Sequence, residues 1–470
     1  MMIPTLFHAG IGRARAAFVA ACLAVTVVVA LAGPASATPK VQRVISPGGI
    51  EAWLVTAREI PVISVDVAFR GGAALDPEGK TGTAALLSTL LDEGAGDLDS
   101  KAFQTRLDDL DIRLSFGADD DALLASLTTL SDTRDEAFRL LGLALSKPRL
   151  EAEPIERMRQ SYLVRLAQEE EDPEALAGKA WYRAAFPGHP YGRPTRGTLD
   201  SLPRITRDDL AAFARDRIAR DTLLVAVVGD IDAETLGPLL DRTFGALPEK
   251  AAPATVASAE FGAPGLEVIR RPVPQSVVRF GLAGIMRQDP DWYAASVMNY
   301  ILGGGGFESR LMREVRVKRG LAYGVSTYLL PNEHGAVLTG QVGTANESVA
   351  KSIEVIRAEF TRMAEKGPDA RELADAKVYL TGSFPLNLDT NSAISGVLLQ
   401  LRRDRLPIDQ LERRKAEIEA VSAADVARVA RRMLDPARLV TVVVGEPQGL
   451  GPAAAPAAPS APAEAPADGG

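Results

Sequence analysis

The sequence predicts an α+β protein of two tandem, homologous α/β domains, each a mixed, largely antiparallel sheet with helices packed on it. Three observations carry that expectation. A β-rich run, Ser64-Val65-Asp66-Val67-Ala68-Phe69, leads through Gly71-Gly72 and Asp76-Pro77 into an Ala- and Leu-rich helical stretch, and Ser276-Val277-Val278-Arg279-Phe280-Gly281-Leu282 does the same through Gly284 and Asp289-Pro290. Both halves also close alike. Thr206-Arg207-Asp208-Asp209 opens a helix with a capping residue and early acids before the apolar run Leu223–Gly229, and Ser422-Ala423-Ala424-Asp425 opens another before Leu439–Gly445. The spacing is the third observation. Asp209 stands 20 residues before Gly229, and Asp425 stands 20 residues before Gly445. The offset between halves is 212 at the first repeat and 216 at the second, steadier than two unrelated α/β domains would give.

The parts follow in chain order. Arg13 and Arg15, the uncharged apolar run Ala16–Leu31 and the A-x-A site Ala35-Ser36-Ala37 read as a secretory signal peptide over residues 1–37, with Thr38 as the mature start. That apolar run is shorter than the ~20 residues of a spanning helix. Residues 38–247 form the first domain and 264–447 the second, joined by 248–263, an Ala- and Pro-rich segment expected to be an exposed linker. Short turns between strands predict antiparallel pairing, with helices packed on one face of each sheet. A helix over 153–171 is expected because Ile155, Met158, Tyr162, Leu163 and Leu166 recur at spacings of three and four. Residues 448–470, almost all Ala, Pro and Gly, are expected to be a disordered tail.

Composition narrows the function. The lone cysteine, Cys22, lies in the signal, so the mature chain has no disulfide or thiol chemistry. The 53 basic and 61 acidic residues give a net charge of −8, or −10 without Arg13 and Arg15. That balance argues against nucleic acid and anionic membrane surfaces as partners. Gly79-Lys80-Thr81 fails as a phosphate loop because Ala74 occupies the required glycine position. Asp119-Asp120-Asp121 reads as a solvated turn between two strands, and His189 and His334 read as surface-loop residues without the partners a metal needs.

Two segments carry a resemblance. Asn299-Tyr300-Ile301-Leu302-Gly303-Gly304-Gly305-Gly306-Phe307-Glu308-Ser309-Arg310-Leu311, followed by Arg316-Val317-Lys318-Arg319-Gly320-Leu321-Ala322-Tyr323, closely resembles the C-terminal domain of the pitrilysin/insulinase family of zinc metallopeptidases. His189-Pro190-Tyr191-Gly192 resembles a loop of its N-terminal half. The resemblance spans nearly all of the mature chain and implies two halves forming a chamber. In that family an inverted H-x-x-E-H motif places two His on one helix face as zinc ligands, with a Glu activating the bound water. Here Ala85 and Thr89 stand at the His positions and Ser88 at the Glu position. The third-ligand position falls on Leu166, flanked by Arg165 and Ala167, with Glu169, Glu170 and Glu171 just beyond. Ala and Thr do not replace imidazole, and Ser does not replace a carboxylate base.

The resemblance therefore implies a chain of the non-catalytic subunit type, with no metal or cofactor of its own and inactive alone. It would pair with a zinc-bearing chain of the same family and act on peptides, in the periplasm. Arg316 and Tyr323 correspond to the family's substrate and oxyanion donors, acting in trans. Gly303, Gly304, Gly305, Gly306 and Phe307 correspond to its substrate-binding loop. The same glycines could equally form a flexible helix connection, and Lys318 and Arg319 read as solvated or chamber-wall charges. The alternative is a proteolytically silent structural or peptide-holding protein of the same fold. An independent metal enzyme with other ligands is disfavoured by two loop histidines and no thiol.

Overall fold

The runs Leu223–Val228 and Val440–Val444 lack the polar alternation of a strand with one wet face. The computed structural model, which describes residues 39–450, shows why. These runs lie in β8 (Leu223–Gly229) and β13 (Val440–Gly445), and every residue of β13 is buried. β8 sits inside a six-stranded sheet ordered β1-β2-β8-β3-β7-β6, and β13 sits inside a five-stranded sheet ordered β11-β12-β10-β13-β9.

The first sheet contains β1 (Gln42–Ile45), β2 (Glu51–Thr56), β3 (Val62–Arg70), β6 (Arg113–Ala118), β7 (Ala122–Leu130) and β8, with the small hairpin β4 (Gly94–Ala95) and β5 (Leu98–Asp99) beside it. The second contains β9 (Gly265–Arg270), β10 (Gln275–Ala283), β11 (Ala322–Pro331), β12 (Ala336–Ala345) and β13. β2 runs parallel to β8, and β9 runs parallel to β13. All other neighbours in the two sheets pair antiparallel. Apart from the extra β1, the halves share one topology. The closing helices Arg207–Arg217 and Ala423–Met433 both start in a complete capping box, on Thr206/Asp209 and Ser422/Asp425.

Sequence reading put helices on one face of each sheet. The structure puts helices on both, and the second layer is exchanged between halves. Helix Pro173–Ala185 of the first half packs on β10 and β13 of the second. Its Ala177, Ala180 and Trp181 bury Val440, Val442 and Val444. Trp181 Nε1 donates to the Val440 carbonyl at 3.2 Å. Gly281 on β10 makes room, since a Cβ there would lie 2.4 Å from Trp181 Cζ2. In return, helix Asn391–Arg403 of the second half packs on β3 and β8 of the first. Its Leu398, Leu399 and Leu401 cover Trp53, Val55, Ala68, Ala226 and Val228. Arg402 stretches over the Trp53 ring and donates to the carbonyls of Glu51 and Val225. From Lys40 onward the described residues form one compact unit.

Two expectations about the connections change. Segment 248–263 has no regular secondary structure but is a docked strap. Ala252 N donates to Asp216 O, Ala259 N to His334 O and Gly262 N to Ala185 O. Phe261 packs beside Trp181 and Phe186, and a Cβ on Gly262 would strike the Ala184 carbonyl. The tail expected from 448 is still attached at Gln448, whose N–H donates to Asn346 O. The rest of that tail, from 451, and the expected signal-peptide segment with Cys22 lie outside the described residues. The helix expected over 153–171 spans Ala152–Glu169.

Removing the exchanged indole should weaken both halves at once. Trp181→Ala is expected to lower unfolding stability by about 3–5 kcal/mol, as for other buried Trp truncations. Urea unfolding followed at both sheets should remain a single transition. Two separated transitions would show that the halves fold independently.

Candidate functional site

The place where the resemblance puts a zinc site is filled by side chains that bind their own helix. Ala85 and Ser88 are buried in helix Thr83–Ser88, and Thr89 caps it. Ser88 Oγ donates to Ala85 O and Thr89 Oγ1 to Leu86 O, both at 2.8 Å. Tyr162 O–H donates to Ala85 O at 3.2 Å. These hydroxyls are satisfied locally and no imidazole is present. Leu166, at the third-ligand position, is buried in the first core. The nearby Glu169 is paired with Lys179 and Arg196, each at 3.3 Å, and with Arg165 at 3.6 Å. The residues do not fit zinc. Among the described residues no cluster of three His, Cys, Asp or Glu is arranged to hold a metal ion.

The glycine-rich loop and the Arg–Tyr pair meet in the second half. Helix Trp292–Asn299 widens into a π-helical turn over Tyr300–Gly304, and a second π-helical turn spans Met312–Val317. Such turns recur at functional sites. Gly303 packs against β11, where a Cβ would lie 2.5 Å from Thr327 Oγ1. Thr327 Oγ1 donates to Asn299 Oδ1, locking helix to strand. Gly306 has φ +57°, the left-handed region that glycine tolerates. The loop is thus an ordered turn braced on β11, not a loose connector.

Arg316 is sandwiched between two rings. Its guanidinium carbon lies 4.7 Å from the Phe307 centroid and 4.6 Å from the Tyr323 centroid. Cation–π attraction on both faces fixes the plane of the fork. Tyr323 is 82% exposed, beside a bulge in β11. Among the described residues neither the Arg316 fork nor the Tyr323 hydroxyl has a hydrogen-bond partner, whereas the neighbouring cations Arg310, Arg313, Lys318 and Arg319 are engaged. Lys318 and Arg319 pair with buried Glu314 at 2.6 Å, so they anchor the turn rather than being free wall charges. Arg310 is buried against Glu372, which Arg313 also reaches. The ion pairs draw Glu372 down to about 2 despite the opposing effect of burial. Sequence reasoning found Arg316, Tyr323 and Phe307 but not their stacking, because the three lie on separate turns and strands.

The Asp119–Asp121 turn is only partly solvated, with the Asp119 side chain 41% exposed. It lies where the halves meet, and its carboxylates are all used. Asp119 accepts from Arg403 at 2.6 Å, Asp120 from Thr195 at 2.9 Å, and Asp121 from the Tyr191 hydroxyl at 2.5 Å and Glu333 N at 2.8 Å. The Tyr191 oxygen also accepts from His334 N. His189 and His334 are half-buried rather than surface residues. His189 Nδ1 accepts from Tyr191 N while Nε2 meets the Ala257 carbonyl, which holds the ring against the strap. Burial, with Asp121 and Asp119 close by, pushes Asp120 up to about 6.

With this geometry in view, residues 204–380 match the family profile described as Peptidase M16 inactive domain. Over that region the chain is similar to the M16 peptidases. A crystal structure described as a peptidase M16 inactive domain from Pseudomonas fluorescens superposes with a TM-score of 0.82 at 29% identity, covering 86% of this chain and 98% of that one. Non-peptidase homolog YmxG of Helicobacter pylori is 29% identical over 71% of this chain and 77% of its own length. An uncharacterized zinc protease of Mycobacterium leprae is 28% identical over 84% of this chain and 89% of its own. In this M16-like fold Ala85, Ser88 and Thr89 offer no metal ligand, and Arg316 and Tyr323 form a stacked pair.

Two measurements check these sites. The purified chain is expected to carry only sub-stoichiometric zinc by mass spectrometry; one zinc per chain would overturn the reading of residues 85–89 as a non-ligating segment. The second concerns Asp120. Its raised pKa means the folded state holds a proton that the unfolded state releases, so the stabilisation is present below pH 4 and lost as pH rises through about 6. Asp120→Asn, which keeps an acceptor for Thr195, should gain on the parent chain by about 1–3 kcal/mol between pH 4 and pH 8 in urea unfolding. A constant difference would place the titration elsewhere.

Proposed function

We propose that this chain is the non-catalytic subunit of an exported heteromeric metallopeptidase, lending Arg316 and Tyr323 to a zinc-bearing partner of the same family with an intact H-x-x-E-H. One observation carries the reading: an arginine fork held between Phe307 and Tyr323 with its N–H edge unpartnered, in a chain whose own zinc positions are filled by non-ligands. The partner's zinc would supply the activated water and polarise the scissile carbonyl. The work of this chain is electrostatic. As the peptide carbonyl oxygen gains negative charge, the Arg316 fork and the Tyr323 hydroxyl donate to it. Their rings and π-helical turn are already in place, so little reorganisation is needed on binding. Gly303–Phe307 would bound the substrate path. Substrates would be peptides short or unfolded enough to enter the enclosure between subunits. Export rests on the signal-like residues 1–37, and the periplasm is the compartment proposed.

A second reading, a silent peptide-holding protein, is favoured by the name non-peptidase homolog carried by the Helicobacter pylori relative. Kinetics separates the two. This chain alone should hydrolyse no peptide, and its complex with a zinc-bearing chain should do so. In that complex Arg316→Ala is expected to lower kcat by about 10²–10³-fold, the usual loss of an oxyanion donor, and Tyr323→Phe by a smaller factor. Unchanged kcat in both variants would remove the shared-site proposal, and peptide binding without any co-purifying zinc chain would favour the silent reading.

A further inference from the structure

Exposed large apolar side chains concentrate around the glycine loop. Phe307 (62% exposed), Val317 (66%) and Tyr323 (82%) lie in the loop, the second π-helical turn and β11, and Val378 (72%), Tyr379 (55%) and Leu386 (74%) lie on helix Ala370–Gly382 and the turn after it. Apolar surface gathered in this way on a water-facing region marks a binding site more often than chance exposure does. The two groups are linked by direct contacts. Tyr379 stacks on Tyr300 with centroids 4.9 Å apart and rings 29° from parallel. Tyr300 lies under the loop, since a Cβ on Gly305 would come within 3.1 Å of its ring. Gly306 follows with open space where a side chain would stand, and then Phe307, which plates Arg316 against Tyr323. The result is an aromatic strip with a saddle of bare glycine backbone in its middle.

We propose that this strip binds an extended peptide segment, with a bulky apolar side chain seated on the Tyr300–Tyr379 stack while the main chain crosses the glycine saddle toward Arg316 and Tyr323. The inference rests on the reading of Arg316 and Tyr323 as a substrate-facing pair and adds a side-chain preference to it. Continuity with that pair argues for a peptide as the occupant. At Gly306 the space beside the backbone is open, while the Cβ directions of Gly304 and Gly305 face Asn299 and Tyr300, so a strand-like main chain can cross at Gly306. The stack prefers apolar groups and rejects acids. Burial first, then the Tyr379 hydroxyl and, more weakly, Glu308 and Asp375 raise the pKa of the Tyr300 hydroxyl, so an incoming carboxylate meets two nearby carboxylates.

The test needs no zinc partner. Three fluorescein-labelled ten-residue Gly/Ser peptides, differing only in a central Leu, Gly or Glu, are titrated against the intact chain by fluorescence anisotropy. The Leu peptide should bind about tenfold more tightly than the Gly peptide, as burial of part of a leucine provides, and the Glu peptide should bind weakest. Tyr379→Ala, at an exposed position, should keep the parent unfolding midpoint and bring the Leu and Gly affinities together. Equal affinities for the three peptides in the parent chain would overturn the proposal. So would a Tyr379→Ala chain that keeps the Leu preference, or one that changes only self-association in sedimentation, which would make the strip an interface between copies. If the preference is absent while Arg316→Ala still lowers kcat in the mixed complex, this inference falls and the shared-site reading stands.

Discussion

The packing of one half's helix on the other half's sheet is the constraint on which the rest of the molecule depends. Trp181 reaches β10 and β13 only because Gly281 has no side chain. Leu398, Leu399 and Leu401 close the outer face of β3 and β8 in return. Neither sheet would have a dry second face without the other half. The strap, the Asp119–Asp121 turn and Tyr191 hold the junction in register, and this fixes where the glycine loop and Arg316 stand relative to the degenerate motif.

Much of this was legible in the sequence, and the reason is local. Capping boxes at Thr206 and Ser422 involve residues three apart, so they can be read from a short window. The continuous apolar runs of β8 and β13 also announced double-sided burial, yet one-faced packing was expected because nothing in a run of valines names its cover. The cover comes from residues far away along the chain. The same limit applies at the site. Arg316, Tyr323 and Phe307 were found through a motif, but the ring–guanidinium–ring stack depends on how two π-helical turns and a bulged strand come together. The Asp119–Asp121 turn was misread for a related reason. Three adjacent acids look solvated until Arg403, Thr195 and Tyr191 arrive from elsewhere.

The two candidate sites show opposite treatments of polar groups. At Ser88 and Thr89 the hydroxyls turn inward and satisfy the carbonyls of their own helix, leaving nothing to offer a ligand. At Arg316 the neighbouring cations are consumed by Glu314 and Glu372, while Arg316 alone is held by aromatic faces that leave its donors uncommitted. A guanidinium fixed by π-stacking retains its hydrogen-bonding capacity, whereas one fixed by a carboxylate has used part of it.

The helix exchange also sets the order in which the protein can be finished. The outer face of β3 and β8 is complete only when residues 391–403 arrive, more than 320 positions after β3 ends at Arg70. During synthesis Trp53, Val55 and Val228 therefore face water, or a chaperone, until most of the chain has emerged. Contacts between residues so distant in sequence make for slow, late closure. The nascent first half is consequently an unfinished surface until residues 391–403, far downstream, deliver its last apolar layer.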